Sequence, residues 1–274
     1  MKSAIAEALG LKFSPVAISR VSERPAKALQ FKEGKRACSM YLYACAAQGR
    51  AAVVDRATCG CVGGAAGFGF GDSYQNFPGG LRGFCGFLSS GNGHTEEGRA
   101  LGETLAARSS SFAENYLHGE RYKRSPELVR QWHDALPISD AQPPYVSFRP
   151  LDDVKPEEGD MPDVVSFVVN ADQLSCLVVL ANYATPRSDR VTIPFGSGCQ
   201  SVGLLAFAEA ASAYPRAVVG LTDLSARKAV RRSLGPDSLT FTMPWKLFLE
   251  MEENAAGSFF DRQVFRELMG AAEK

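Results

Sequence analysis

A chain of 274 residues is long enough to bury a core as one large domain or two modest ones. Hydrophobic residues at 45% and charged residues at 22% exclude a disordered or fibrous protein. Lys+Arg and Asp+Glu are equal at 30 each, so the electrostatic attraction that non-specific nucleic-acid binding needs is missing.

The first thirteen residues carry Glu7 where a signal peptide needs an unbroken apolar run, and the apolar stretches further on are too short to span a bilayer. The chain is therefore expected to be cytoplasmic, where its odd number of cysteines, seven, makes a disulfide framework a poor reading. Residues 1–10 read as a helix stopped by Gly10, and residues 15–21 as a first strand. Arg20, Arg24, Lys27, Lys32, Lys35 and Arg36 follow. They hold much of a surplus of 17 basic over 12 acidic side chains in residues 1–137, and read as a solvated face or a surface for an anion or acidic partner. Residues 38–48 are expected to be helical and 51–55 extended. Residues 60–93 then contain twelve of the 26 glycines together with six aromatic side chains, which points to a long ordered loop or lid. Helices are expected at 98–117 and from Ser125, and a Pro-rich linker at 136–144. Beyond it strands at 145–150, 164–170, 191–195, 217–222 and 239–243 alternate with helices at 171–183, 199–214, 225–234 and 245–254. That alternation implies an α+β fold of mixed layers. It is divided into a Cys/Gly-rich half (1–137) and a C-terminal half (145–274), or closed as one compact domain.

The chemistry resides in the cysteines. Thr58-Cys-Gly-Cys-Val-Gly-Gly64 sets Cys59 and Cys61 one residue apart beside Gly60, Gly63 and Gly64, whose amides could approach inorganic sulfide. Cys199, in Gly-Ser-Gly198-Cys-Gln200, begins a helix, where free amides and the helix dipole favour a thiolate and lower its pKa. Cys38 opens another helix just after Lys35-Arg36, whose charges favour its thiolate in the same way. Cys45, Cys85 and Cys176 read as packing residues. No paired CxxC occurs, so a zinc ribbon is a poor fit. The His94-Thr-Glu96 triplet lacks its PCxxC partner, and His118 and His133 read as surface residues on helices. Around Asp223-Leu-Ser-Ala-Arg227, capping by Ser225 with a local salt bridge, or an anion contact, are the two readings.

Leu9-Gly-Leu-Lys12 with Pro15-Val-Ala17, the Cys38-to-Gly49 spacing, Cys61-Val-Gly-Gly64, Asn170-Ala-Asp-Gln173, Gly198-Cys199 and Phe241-Thr-Met-Pro-Trp-Lys246 follow one another in an order that resembles the DUF169 family over residues 9–255. The resemblance implies that Cys38, Cys61 and Cys199 are the family-type positions, with Cys59 an addition, and that Asn170 and Gln173 face the same site. It implies no activity.

The leading expectation is an iron–sulfur protein, with a 4Fe–4S cluster on Cys38, Cys61 and Cys199 and Cys59 as an optional fourth ligand. Asn170, Gln173 and Arg227 would stand near a small anionic substrate of a hydration or desulfuration reaction at an open iron. The rivals are a metal-free thiol enzyme using Cys199 and a ligand-binding module without turnover. No nucleic-acid or membrane partner is expected, and an oligomer is compatible with the sequence.

Overall fold

The structure, a computed structural model, describes residues 1–140 and 143–270. Met1–Phe70 and the chain from Ser139 onward form one compact unit, and Gly71–Ile138 form a second. The division expected near residue 137 therefore marks only the end of an insertion. The strands before it belong to the same sheet as the strands after it. Ala141 and Gln142, in the expected linker, lie outside the described residues.

In chain order the first unit begins α1 (Ala4–Ala8), β1 (Val16–Val21), α2 (Met40–Ala47), β2 (Ala52–Asp55) and α3 (Val62–Gly67). The inserted unit holds α4 (Gly80–Leu88), α5 (Glu96–Ala106), α6 (Ser110–His118) and α7 (Pro126–Asp134). The first unit resumes with β3 (Tyr145–Pro150), β4 (Val164–Val169), α8 (Ala171–Ala181), β5 (Val191–Thr192), α9 (Gly198–Val202) and α10 (Leu204–Ala210). It ends with β6 (Ala217–Gly220), α11 (Leu224–Leu234), β7 (Leu239–Pro244), α12 (Trp245–Ala255) and α13 (Gln263–Leu268). The strands form one sheet in the order β2-β3-β1-β4-β7-β6-β5, antiparallel except at β5–β6. This is an α+β fold.

Strand alternation sorts the core. Along β4, Val164 and Val168 enter one apolar cluster, and Val165, Phe167 and Val169 enter another on the opposite face. The first cluster takes side chains from α2, α3, α9, α10 and α11; the second takes them from α1, α8, α12 and α13. The sheet is thus buried on both faces, which explains why its strands read as near-continuous apolar runs. Within the first face a buried hydroxyl chain crosses three elements. Tyr43 of α2 is hydrogen-bonded to Ser166 of β4 at 2.9 Å, and Ser166 to Thr242 of β7 at 2.7 Å.

Several expected elements are corrected. The glycine-rich stretch is not a loop: it contains α3 and α4, because its glycines let helices lie against other backbone while aromatic side chains fill the space between. In the inserted unit Tyr74 stacks on Phe84 at 4.2 Å, and Phe77 meets Phe84, Phe87 and Phe112. The helix expected at 98–117 is two helices. Ser109 adopts an extended backbone and its hydroxyl accepts from Phe112 N, starting α6 afresh. The helix expected at 199–214 breaks at Gly203, where a Cβ would stand 2.3 Å from the Gly67 carbonyl oxygen. The strand expected at 191–195 pairs only over Val191–Thr192.

Replacing Tyr43 with Phe removes one bond from the hydroxyl chain and leaves Ser166 bonded to Thr242. The expected loss is about 1 kcal/mol of stability, read as a lower urea midpoint with an unchanged slope.

Candidate functional site

Four helix starts bring the reactive side chains together on the first face of the sheet. Cys38 immediately precedes Ser39, the residue that begins α2. Cys61 is the N-cap of α3, with Cys59 two residues before it. Cys199 lies in the first turn of α9, which Ser197 caps by accepting from Gln200 N at 3.2 Å; Gln200 returns the bond to Ser197 N at 2.7 Å. Asp223 is the N-cap of α11. One of its oxygens accepts from Ala226 N at 2.7 Å, and the other reaches across to accept from Gly198 N at 2.6 Å. The carboxylate therefore ties the start of α9 to the start of α11.

Close packing holds the sulfur atoms in place. The Ser39 hydroxyl is 3.3 Å from Cys59 Sγ, and that thiol is 3.6 Å from the Cys61 carbonyl oxygen. A Cβ on Gly64 would stand 2.7 Å from the Ser39 hydroxyl and 3.2 Å from Cys59 Sγ. One on Gly67 would stand 2.9 Å from the Cys199 Cβ. Glycine at these two positions is what allows α3 to lie against the other cysteine-bearing segments.

The electrostatics show how near the groups are to one another. Burial, then the charge of Cys61, Asp223 and Cys59, pushes the Cys38 thiol up to about 12, against a single favourable backbone N–H from Met40. Cys59 is pushed up to about 11, chiefly by burial and then by Cys61, with the Ser39 hydroxyl opposing. Cys61 is raised by burial and by Asp223, although the backbone N–H groups of Gly64, Gly63 and Ser39 favour its thiolate. Cys199, fully enclosed, is raised well above the usual thiol range by burial and then by Cys38, Cys61, Cys59 and Asp223. Asp223 itself is raised, mainly by burial. These directions overturn two expectations. The start of α9 does not lower the Cys199 pKa, because burial and neighbouring negative charge outweigh it. Lys35 and Arg36 do not favour a Cys38 thiolate, because both side chains are exposed and neither acts on it.

Other expected site residues lie elsewhere. Asn170 and Gln173 close a capping box at the start of α8, and Gln173 also donates to the Leu9 carbonyl at 3.1 Å. That helix packs against the opposite face of the sheet, so neither residue faces the thiols. Arg227 donates to the carbonyls of Leu221, Ser238 and Pro236 at 2.7–3.0 Å, which occupies its guanidinium with backbone in place of an anion. The cap of α11 is Asp223, not Ser225. Of the glycines, Gly63 and Gly64 direct amides at Cys61, whereas the Gly198 amide is taken by Asp223 and Gly60 packs on the Lys35 backbone. Cys85 and Cys176 are buried as expected, and Cys45 is half-buried beside Arg50. His133, read as a surface residue, is buried between Asp72 and Asp134, at 3.1 and 3.0 Å. Asp223 and Ser39 are the site residues that sequence reasoning missed.

Among the described residues no three His, Cys, Asp or Glu side chains form a group that could hold a metal ion as they stand. Nor is any described helix long and apolar enough to cross a membrane. The fold and site define an α+β protein with four thiols and a carboxylate gathered at helix starts. A model of the family DUF169, described as Uncharacterised ArCR, matches residues 4–254, and the chain belongs to that family. No curated protein and no solved structure matches it.

Because their pKa values are raised on folding, the native thiols hold protons that unfolded thiols release above about pH 8.5. The stability of the metal-free protein is therefore full below that pH and falls as pH rises toward the folded values. Urea unfolding between pH 8 and pH 11 should show this, with a shallower fall in Cys38→Ser. Removing the carboxylate in Asp223→Ala leaves the Gly198 and Ala226 amides without their acceptor, and should cost about 1–2 kcal/mol in the same assay at neutral pH.

Proposed function

We propose that Cys38, Cys59, Cys61 and Cys199 are the thiolate donors of an iron–sulfur centre, with a 4Fe–4S cluster the best match. The observation that carries this reading is the convergence of four thiols from three separate segments at neighbouring helix starts. Buried Cys199, half-buried Cys38, Cys59 and Cys61, and the Asp223 carboxylate lie within electrostatic reach and oppose one another's ionisation. Arg227 acts on Asp223 but its guanidinium is held by backbone carbonyls, and Lys35 and Arg36 are exposed. A bound metal centre would supply the positive charge that lets the thiols ionise, and thiolate ligation releases the protons that burial otherwise retains.

The donor set favours iron–sulfur over a single zinc. Thiolates around one zinc must converge to ~2.3 Å from a single ion. In a four-iron cluster each thiolate binds a different iron, so the sulfurs stand further apart. The Gly63, Gly64 and Ser39 amides directed at Cys61 are the kind of outer hydrogen bonds that hold a ligating thiolate and temper its charge. When bound, such a cluster would supply electron transfer or, with Cys59 outside the ligand set and one iron open, Lewis acidity toward an oxygen-bearing substrate. The chain's own contribution is to enclose the thiols, orient Cys61 through the α3 amides and fix Cys199 through the Asp223 tie. A metal-free thiol nucleophile is the poorer reading, since Cys199 is enclosed and its pKa is raised.

Anaerobic purification followed by iron, acid-labile sulfide and visible-absorption measurement tests the proposal. Brown protein with both elements bound, lost in Cys61→Ser and Cys199→Ser but kept in Cys85→Ser, is the expected outcome. Colourless protein that takes up neither iron nor sulfide on anaerobic reconstitution would overturn it.

A further inference from the structure

The basic segment between β1 and α2 is fastened along the edge of the sheet. Leu29 N donates to the Ala51 carbonyl at 2.9 Å and Val53 N to the Leu29 carbonyl at 2.8 Å, an isolated parallel bridge beside β2. The Gln30 side chain reaches Asp55 and Thr58 at 3.0 and 3.2 Å. The segment then crosses Gly60, where a Cβ would stand 2.0 Å from the Lys35 carbonyl oxygen and 3.2 Å from the Arg36 Cα. Gly60 lies between Cys59 and Cys61, and Arg36 is two residues before Cys38. The exposed side chains of Lys35 and Arg36 therefore flank three half-buried thiols.

A second basic element borders the same place. A Cβ on Gly198 would touch both Ala226 Cβ at 3.1 Å and Met40 Cγ at 3.2 Å, so the first turns of α11 and α2 are neighbours. Further along, Gln48 donates to the Ser233 carbonyl at 3.0 Å, so the two helices run side by side in one direction. Within α11 four residues are basic and none is acidic. Arg227 is held by carbonyls, but Lys228 and Arg231 are exposed, in line with exposed Leu224 at spacings of four and seven. Exposed Tyr41, on α2, lies just after the Met40 contact.

Exposed basic residues are ordinarily a solvated face, but these are segregated from their counter-charges. Arg56, Arg130, Arg187 and Arg216 are also exposed, and each finds a carboxylate within the chain. Among the described residues Lys32, Lys35, Arg36, Lys228 and Arg231 enter no ion pair. Residues 24–36 hold five basic side chains and one acidic, Glu33. We propose that this surface docks a small acidic electron-carrier protein; that the partner is an electron carrier rests on the iron–sulfur function proposed above. The carrier gives one electron and the iron–sulfur centre takes it, with no bond made or broken. Electron-transfer complexes bury under about 1,200 Å² and take their rate from charge, so no deep groove is needed. Tyr41 and Leu224, 41% and 65% exposed, supply apolar contact inside the charged rim. A compact partner fits better than an extended polyanion such as nucleic acid. Residues 138–274 carry 13 basic against 18 acidic side chains, so a polymer running past the patch meets an acidic surplus.

Calorimetric titration of the full-length protein with a small acidic 2Fe–2S ferredoxin tests the proposal, with basic cytochrome c and duplex DNA as comparison probes. Binding should be clear at about 0.01 M salt and much weaker at about 0.15 M, where the screening length falls from roughly 30 to 8 Å. In K35E/R36E, and separately in K228E, affinity should fall by about tenfold or more, with thermal midpoints unchanged. K246E, on a helix of the opposite face, should bind as the parent does. Stopped-flow absorption with the reduced ferredoxin should show electron transfer to the iron-loaded protein, slowed in the same variants. Docking reads surface charge, so it is measured on iron-free protein as well. Ferredoxin binding there, in a protein that never takes up iron and sulfide, would overturn the proposed function and leave the docking surface standing. Affinity unchanged in both charge-reversal variants, no binding at low salt, or DNA or cytochrome c bound as tightly as ferredoxin would overturn the docking proposal.

Discussion

The position of β1 is the constraint on which the site depends. Drawn from residues 16–21, it pairs with β3 on one side and β4 on the other, so the N-terminal segment lies inside the sheet and not along its edge. The segments that follow it then have to run over the same face that receives α9 and α11 from the C-terminal part of the chain. Cys38, Cys59 and Cys61 thereby meet Cys199 and Asp223 across more than 130 residues of sequence. A chain in which β1 sat at the edge would keep its core but not this encounter.

Within that encounter the interactions conflict. Enclosure and mutual repulsion resist ionisation of the thiols, while the amides at the start of α3 and the Ser39 hydroxyl favour it. The site cysteines also pack with the apolar core of this face, Cys199 within it and Cys38 and Cys59 against it. The Asp223 carboxylate adds to the negative charge and at the same time holds two of the helix starts together, so it contributes to both the electrostatics and the rigidity of the site.

Much of this was legible in the sequence, for identifiable reasons. The strands and helices after residue 145 could be read because both faces of the sheet are covered, which leaves valine-rich runs such as Val164-Val-Ser-Phe-Val-Val169 between polar helix starts. The cysteines stood out by residue type and by their glycine neighbours. What failed was anything set by packing across the chain. The glycine-rich stretch looked non-helical because glycine weakens an isolated helix, yet Gly64 and Gly67 are where α3 gains contact with Ser39, Cys59 and Cys199. Asn170 and Gln173 were assigned to the site although Asn-x-x-Gln at a helix start is itself a capping signature. Asp223 read only as a neighbour of a Ser225 cap, and nothing in the order of residues indicated that it would itself cap α11 and reach Gly198.

The insertion leaves and re-enters its host at a single point. Phe70 and Asp140 face each other as an isolated antiparallel bridge, and Arg56 spans the join, donating to the Phe70 carbonyl and pairing with the Asp140 carboxylate. The two ends of the excursion therefore stand about one strand spacing apart, roughly 5 Å. A turn of a few residues could replace the whole of 71–138 without altering the path of the sheet. The host is in this sense modular: lengthening, trimming or exchanging the excursion changes what the protein carries while the arrangement of its thiols is left to the host alone.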